Sequence, residues 1–192
     1  MAVVAANIHT GPANIFMGGA APASSLPPTW QTHTNGVPAG FTHIGATLGD
    51  TVFNWKPNYN NIEAEQALGI IDKFVTAEDG TLEFEAEERT QVLLKQAFGN
   101  IGTVDDGTRT GFYGGGGGTI LNIQYVTLVL TSLRRDLAGK YEVLVLYKAV
   151  CTAGIPLTYS RTKVSTYKMN FQALPDGTRT VGDQIFQFSR EK

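Results

Sequence analysis

Apolar and polar residues alternate through several short stretches of this chain, and a period of two predicts half-buried strands. Val164 to Ala173 is the cleanest case, with Tyr167, Met169 and Phe171 on one side and Thr166, Lys168 and Asn170 on the other. Thr81 to Ala86 puts Leu82, Phe84 and Ala86 on one face and Thr81, Glu83 and Glu85 on the opposite one. Ile62, Ala64, Gln66 and Leu68 alternate with Glu63 and Glu65. Gly69 marks a bend, and Ile70 to Ala77 continues as strand. Glu78-Asp79-Gly80 is predicted as a hairpin turn, because glycine accepts the positive φ that tight twisted turns require. Thr51 to Trp55 reads as a strand, Lys56 to Asn61 as a loop, and Asn100 to Gly118 as a loop ending in five consecutive glycines. Thr119 to Leu133 is a long strand whose apolar face switches near Tyr125-Val126, which predicts a bulge. Tyr141 to Val150 is apolar on both faces, as a central strand should be. Gln184 to Ser189 is a last strand with Phe186 and Phe188 on one face.

From about Glu87 the period becomes helical. Val92, Leu93 and Ala97, with Leu94 and Phe98, form an apolar stripe; Glu87 and Glu88 suit the positive end of the helix dipole, and Gly99 suits the stop. Seven or eight strands and one helix predict a mainly β fold, a β-sandwich or barrel with one flanking α-helix. Residues 2 to 49 contain no Asp, Glu, Lys or Arg but carry prolines together with Ile15, Phe16, Met17, Leu26, Trp30, Phe41 and Ile44. Prolines oppose long helices and central strands, and apolar residues oppose a solvated linker. The expected organisation is therefore an extended N-terminal arm over residues 1–50, packing on the core or on a neighbouring subunit, followed by a β domain over residues 51–192.

Composition narrows the class. A net charge of −2 gives the molecule no general pull toward nucleic acid or membrane. The single cysteine, Cys151, excludes an internal disulfide and sits in an apolar run where a buried thiol is expected. No run reaches the roughly 20 apolar residues of a membrane helix. The start MAVVAANIHT lacks the basic and apolar regions of a signal peptide, so a cytosol-like compartment is expected. Charge is segregated: Asn61 to Thr90 holds nine acids and two bases, whereas Thr108 to Lys192 holds eleven bases and five acids. Such a division suits oriented, head-to-tail association.

No stretch carries an active-site pattern. Glu83 and Glu85 share one side of a strand, about 6 to 7 Å apart along the backbone, but no histidine or aromatic cluster accompanies them as a sugar site would require. The run Gly114 to Gly118 leads into a strand and lacks the lysine of a phosphate loop. His9, His33 and His43 lie in the arm without metal-pair spacing, and Asp105-Asp106-Gly107 lacks the spacing of a calcium loop. No enzyme, cofactor or metal site is expected. An acidic wall repels phosphate, which makes a poor nucleic-acid site and a suitable passage.

The order of segments TGPANIFMG, GDTVFNW, IEAEQALGIIDKFVTAEDGTLEFEAEERTQVLLKQAFG and YKAVCTAGIPLTYSRTKVSTYKMNFQALPD resembles the major tail tube proteins of long-tailed bacteriophages, over nearly the whole chain. The resemblance implies a tail-tube β-sandwich with a flanking helix. It implies copies that join their sheets into rings, six to a ring, and rings that stack into a tube through which DNA leaves the virion without specific binding. Partners would be further copies of the chain and other tail proteins (tape measure, terminator and distal tail). Location would be the virion tail tube, assembled in the host cytoplasm without membrane insertion. Within that picture Glu63, Glu65, Glu83 and Glu85 are expected to line the lumen. Trp30, Phe41, Pro57, Tyr59, Phe112 and Tyr113 are expected at contacts between subunits. A capsid-decoration or adhesin-like binding module is the alternative from a different class.

Overall fold

The structure, a computed structural model, describes residues 13–18, 40–63, 70–88, 93–95, 101–105, 107–114, 125–134, 137, 139–153 and 166–190. Its strands are β1 (Ala13–Gly18), β2 (Phe41–His43), β3 (Thr47–Glu63), β4 (Ile70–Ala86), β5 (Ile101–Asp105), β6 (Thr110–Gly114), β7 (Val126–Leu133), β8 (Tyr141–Cys151), β9 (Tyr167–Ala173) and β10 (Phe186–Arg190). The chain is mainly β. One antiparallel sheet has the order β2-β1-β7-β8-β9-β4-β3, with β10 paired to β8, and β5 and β6 form a separate two-stranded sheet.

β7 and β8 read as apolar on both faces, and they sit at the centre with both faces covered. On one face Leu128, Leu130, Leu144 and Leu146 join Ile15 and Met17 of β1. They pack against Leu82, Phe84 and Ala86 of β4 and Tyr167, Met169 and Phe171 of β9 in a single core. Strands from both ends of the sheet order thus share one interior, so the sheet curls over itself. Phe84 and Phe171 stack there at 5.9 Å with their rings 10° from parallel. On the opposite face Phe16, Val129, Val143, Val145 and Tyr147 form a second, smaller cluster, against which Phe41 and Tyr141 pack. A bulge shifts the alternation near one end of the β7–β8 pairing. Val126 pairs with Ala149, but Leu128 pairs with Leu146, so β8 carries one extra residue. Leu146 and Ala149, three residues apart, therefore both face the main core, while Tyr147 follows Val143 and Val145 into the second cluster. The predicted bulge lies at that point of the ladder, with the extra residue in β8 rather than in β7.

Three local expectations are corrected. Glu78-Asp79-Gly80 is not a turn: β4 runs unbroken from Ile70 to Ala86, and the β3–β4 reversal falls between Glu63 and Ile70. Gly80 pairs with Trp55 on one side and Ala173 on the other, and a Cβ there would approach the Ala173 Cβ to 3.2 Å. The glycine serves close strand packing. Lys56 to Asn61 is not a loop but the middle of β3, where Pro57 is tolerated because β3 is an edge strand. Asn100 to Gly118 is not a loop throughout, since β5 and β6 pair within it, from Ile101↔Gly114 to Asp105↔Thr110.

The described helical stretch is residues 93–95, with Leu93 buried in the main core. Glu87 and Glu88, expected in the first helical turn, are not helical, since the Glu87 N–H donates to Ala46 O instead, and residues 89–92 and 96–98 lie outside the described residues. β1, from the charge-free N-terminal region, is a strand of the sheet: it pairs with β7 and β2, and Ile15, Phe16 and Met17 are buried. Residues 47–50 open β3.

Two phenylalanines on β4 test this architecture. Phe84→Ala is expected to cost about 3–5 kcal/mol, whereas Phe74→Ala on the exposed half of the same strand should cost less than about 0.5 kcal/mol. Urea denaturation of dilute protein measures both, and equal losses would refute the division of β4.

Candidate assembly interface

β9 covers β4 only from Gly80 to Ala86. From Asp79 back to Ile70, β4 pairs with β3 alone, so the two strands run on as a two-stranded ribbon about 30 Å long at about 3.3 Å per residue. Every residue from Ile70 to Asp79 is exposed. Alternation along β3 puts Trp55, Pro57, Tyr59 and Glu63 on the face that continues the core side. Lys56, Asn58, Asn60 and Ile62 take the other face. β4 carries extra residues at two points, where Asn58↔Ala77 gives way to Tyr59↔Val75 and Ile62↔Asp72 to Glu63↔Ile70. These bulges increase local twist. They also bring Val75 and Ile70 to one face and Phe74 to the other, so both faces carry exposed apolar side chains, Phe74 at 50% and Ile71 at 57% exposure. A two-stranded ribbon with nothing packed on it is marginally stable in water, and a contiguous exposed apolar patch marks an interaction surface. Among the described residues its backbone edges are open as well: β3 ends the sheet, and β4 from Ile70 to Asp79 has no described neighbour opposite β3.

Over the sheet proper, the outward face of β4 and β9 is a polar ladder. Asn170 Nδ2 donates to Glu83 Oε1 at 3.0 Å, and Lys168 Nζ stands 3.7 Å from Glu83 Oε2. Thr166 Oγ1 donates to Glu85 Oε1, and Gln172 Nε2 donates to Asp79 Oδ1 at 3.3 Å. The carboxylates are thus oriented by the neighbouring strand. The exposed Lys168–Glu83 pair contributes at most about 1 kcal/mol.

A third part is the loop between β9 and β10. Asp176 accepts from the Thr178 N–H at 3.0 Å and from its hydroxyl at 2.8 Å. The Asp176 N–H donates to Gln184 O at 2.9 Å, and the Asp183 N–H to Thr180 O at 3.0 Å. Arg179 pairs with Asp183 at 2.7 Å and lies over the Tyr147 ring, 3.6 Å from its centre. The Tyr147 hydroxyl lies 2.9 Å from both Asp183 Oδ1 and Gln187 Oε1. Burial first, and the bond to Asp183 next, push the Tyr147 phenol up to about 12. The Arg179 bond holds the Asp183 carboxyl below the usual range. Between this loop and the ribbon base lies an open groove of about 790 Å³. Trp55, Val75 and Ala77 stand on one side and Pro175 and Val181 on the other, with Ile185 and Phe186 also lining it.

The residues expected to act together are only partly brought together. Glu83 and Glu85 share the polar ladder face, whereas the register puts Glu63 at the far end of the ribbon on the other face. Pro57 is half-buried and Tyr59 exposed on the ribbon. Phe41 packs within its own chain, its ring so close to Gly18 that a Cβ there would come within 2.7 Å. Phe112 and Tyr113 lie in β6, paired with Thr103 and Gly102. Glu65 and Trp30 lie outside the described residues. Cys151 is half-buried, and desolvation pushes its thiol up, which suits a structural role. Sequence reasoning missed the ribbon's apolar faces. Their signal is the doublets Ile70-Ile71 and Phe74-Val75, which break strict alternation inside a strand. The contact of Tyr147 with the Arg179–Asp183 pair has no local signal, because Tyr147 lies 36 residues from Asp183 in the chain.

Neither a protein-family model nor a curated protein matches the chain. Among the described residues no group of three His, Cys, Asp or Glu could hold a metal ion, and no helix is long and apolar enough to cross a membrane.

The tyrosine cluster makes a pH prediction. The folded state keeps the Tyr147 phenol protonated beyond the value of about 10 of an unfolded chain. Its contribution is therefore complete below about pH 10 and is lost as pH rises toward about 12. Ultraviolet titration of tyrosinate should show one late-ionising group that Tyr147→Phe removes. Loss of an ordinary group instead would refute the assignment.

Proposed function

We propose that this chain is a structural subunit of a phage-type tail tube, which joins copies through the β3–β4 ribbon. The observation that carries the reading is the ribbon itself, which among the described residues has two open edges and apolar residues on both faces at once. An exposed edge of this length invites pairing with another chain. Pairing the β3 edge of one copy with the free β4 edge of the next uses different surfaces of the same molecule. Repeating that contact gives a ring if the rotation closes. A closed ring of ribbons is a barrel without edges. The resemblance of the sequence to tail tube proteins supplies the further terms of the proposal: six copies to a ring, stacked rings, other tail proteins at the tube's ends, and DNA passing through the channel in the virion. The polar ladder face supports a wet inner wall, with Glu83 and Glu85 toward the lumen, since oriented carboxylates repel a passing phosphate backbone.

Electron microscopy of the purified protein tests the assembly. Rings or tubes about 100 Å wide are expected for a multi-strand barrel with an outer layer. The double variant Ile71→Lys, Phe74→Lys should abolish them while leaving the monomer's melting temperature within a few degrees. Monodisperse monomers of the wild type at high concentration would sink the reading and favour a binding module. In assembled tubes, Glu83→Gln with Glu85→Gln should leave assembly intact and alter the rate of DNA passage. Unchanged passage through the variant tubes would overturn the lumen placement.

A further inference from the structure

We propose that the loop between β9 and β10 is a preformed clamp that receives the β3 strand of a second copy, with Val181 as the side chain the incoming strand covers. The proposal rests on the assembly reading above and adds where the open edge of β4 is closed.

β9 leaves β4 at Ala173, where the Leu174 N–H turns away to donate to Lys148 O at 2.7 Å. Among the described residues, no strand takes the position beside β4 from that point on. The groove borders this position: Val75, Thr76, Ala77 and Glu78 of β4 line it together with Val181, Gly182 and Gln184 of the loop, and it reaches over the ribbon face to Trp55 and Phe186. An added strand would continue the line of β9, pair with the β4 edge and rest against the loop, the geometry of β-strand addition. The loop is built to hold still. The Asp176 cap, the Arg179–Asp183 pair and the Tyr147 hydroxyl fix it to the sheet. At its apex this stiff frame holds Val181 at 88% exposure. A surface ordered in advance loses little entropy on binding, and an aliphatic side chain beside a groove of mixed polar and apolar lining gains by being covered.

Charge and topology select the occupant. Glu78 is the charged side chain in the groove lining, and β4 has no base between Val75 and Gly80. β3 from Thr51 to Ile62 carries Lys56 and no acid, so it complements that carboxylate. It also has a free edge along its length. The molecule's own β3 is already bound to the other edge of β4, so the strand must come from another copy. Pro57 has no N–H and removes one donor from the docking edge, which restricts the registers in which β3 can pair.

The test uses the full chain at a series of concentrations, with sedimentation and electron microscopy as readouts. Val181→Asp should raise the concentration needed for assembly about tenfold or more. The melting temperature of the dilute monomer should hold. Leu137→Asp, at another exposed aliphatic residue, should leave assembly unchanged. In a Cys151→Ser background, Tyr59→Cys with Val181→Cys should give disulfide-linked ladders of copies on oxidation. Wild-type assembly with unchanged assembly of Val181→Asp and no ladder overturns the clamp and leaves the assembly reading standing. Failure of the wild type to assemble overturns both.

Discussion

A β-strand must satisfy two hydrogen-bonding edges and two faces, and β4 meets all of these demands over only half of its length. Between Gly80 and Ala86 it is paired on both sides and buries Leu82, Phe84 and Ala86. Between Ile70 and Asp79 it keeps one partner and buries nothing. The rest of the structure follows from that asymmetry. The curled sheet fixes the base of the ribbon in a core that stacks Phe84 on Phe171. The ribbon beyond is held by β3 alone, so its stability depends on what covers it.

The two faces of β4 divide the work. The inward face is apolar wherever β9 and β8 stand over it. The outward face is tied to β9 by Asn170, Lys168 and Thr166, which orient Glu83 and Glu85 without burying them. Such a surface stays hydrated and resists sticking to another sheet, whereas the ribbon's faces do not. The stiff loop at the ribbon base completes the contrast. Its buried anchor, Tyr147, belongs to the second cluster with Val143 and Val145, so the loop is tied to the packing on the far side of β8.

Much of the strand content was legible because alternation reports burial directly. β9, β8 and the second half of β4 follow the pattern of their side chains residue by residue. Local signals misled where tertiary contacts changed their meaning. Gly80 carries the mark of a turn but serves a close approach to Ala173. Pro57 carries the mark of a loop but lies in a strand whose outer edge has no partner to lose. The acidic residues read as one group, yet the ribbon's length and register separate Glu63 from Glu83 and Glu85.

By itself the sequence determined the mainly β class, the central place of Tyr141 to Val150, and the two-faced character of Thr81 to Ala86, because each depends on neighbours along the chain. The tertiary structure alone decided that β9 ends opposite Gly80, that β4 runs on without it, and that Tyr147 meets the Arg179–Asp183 pair. These are pairings between residues far apart in the chain, and no local period records where one strand ends alongside another.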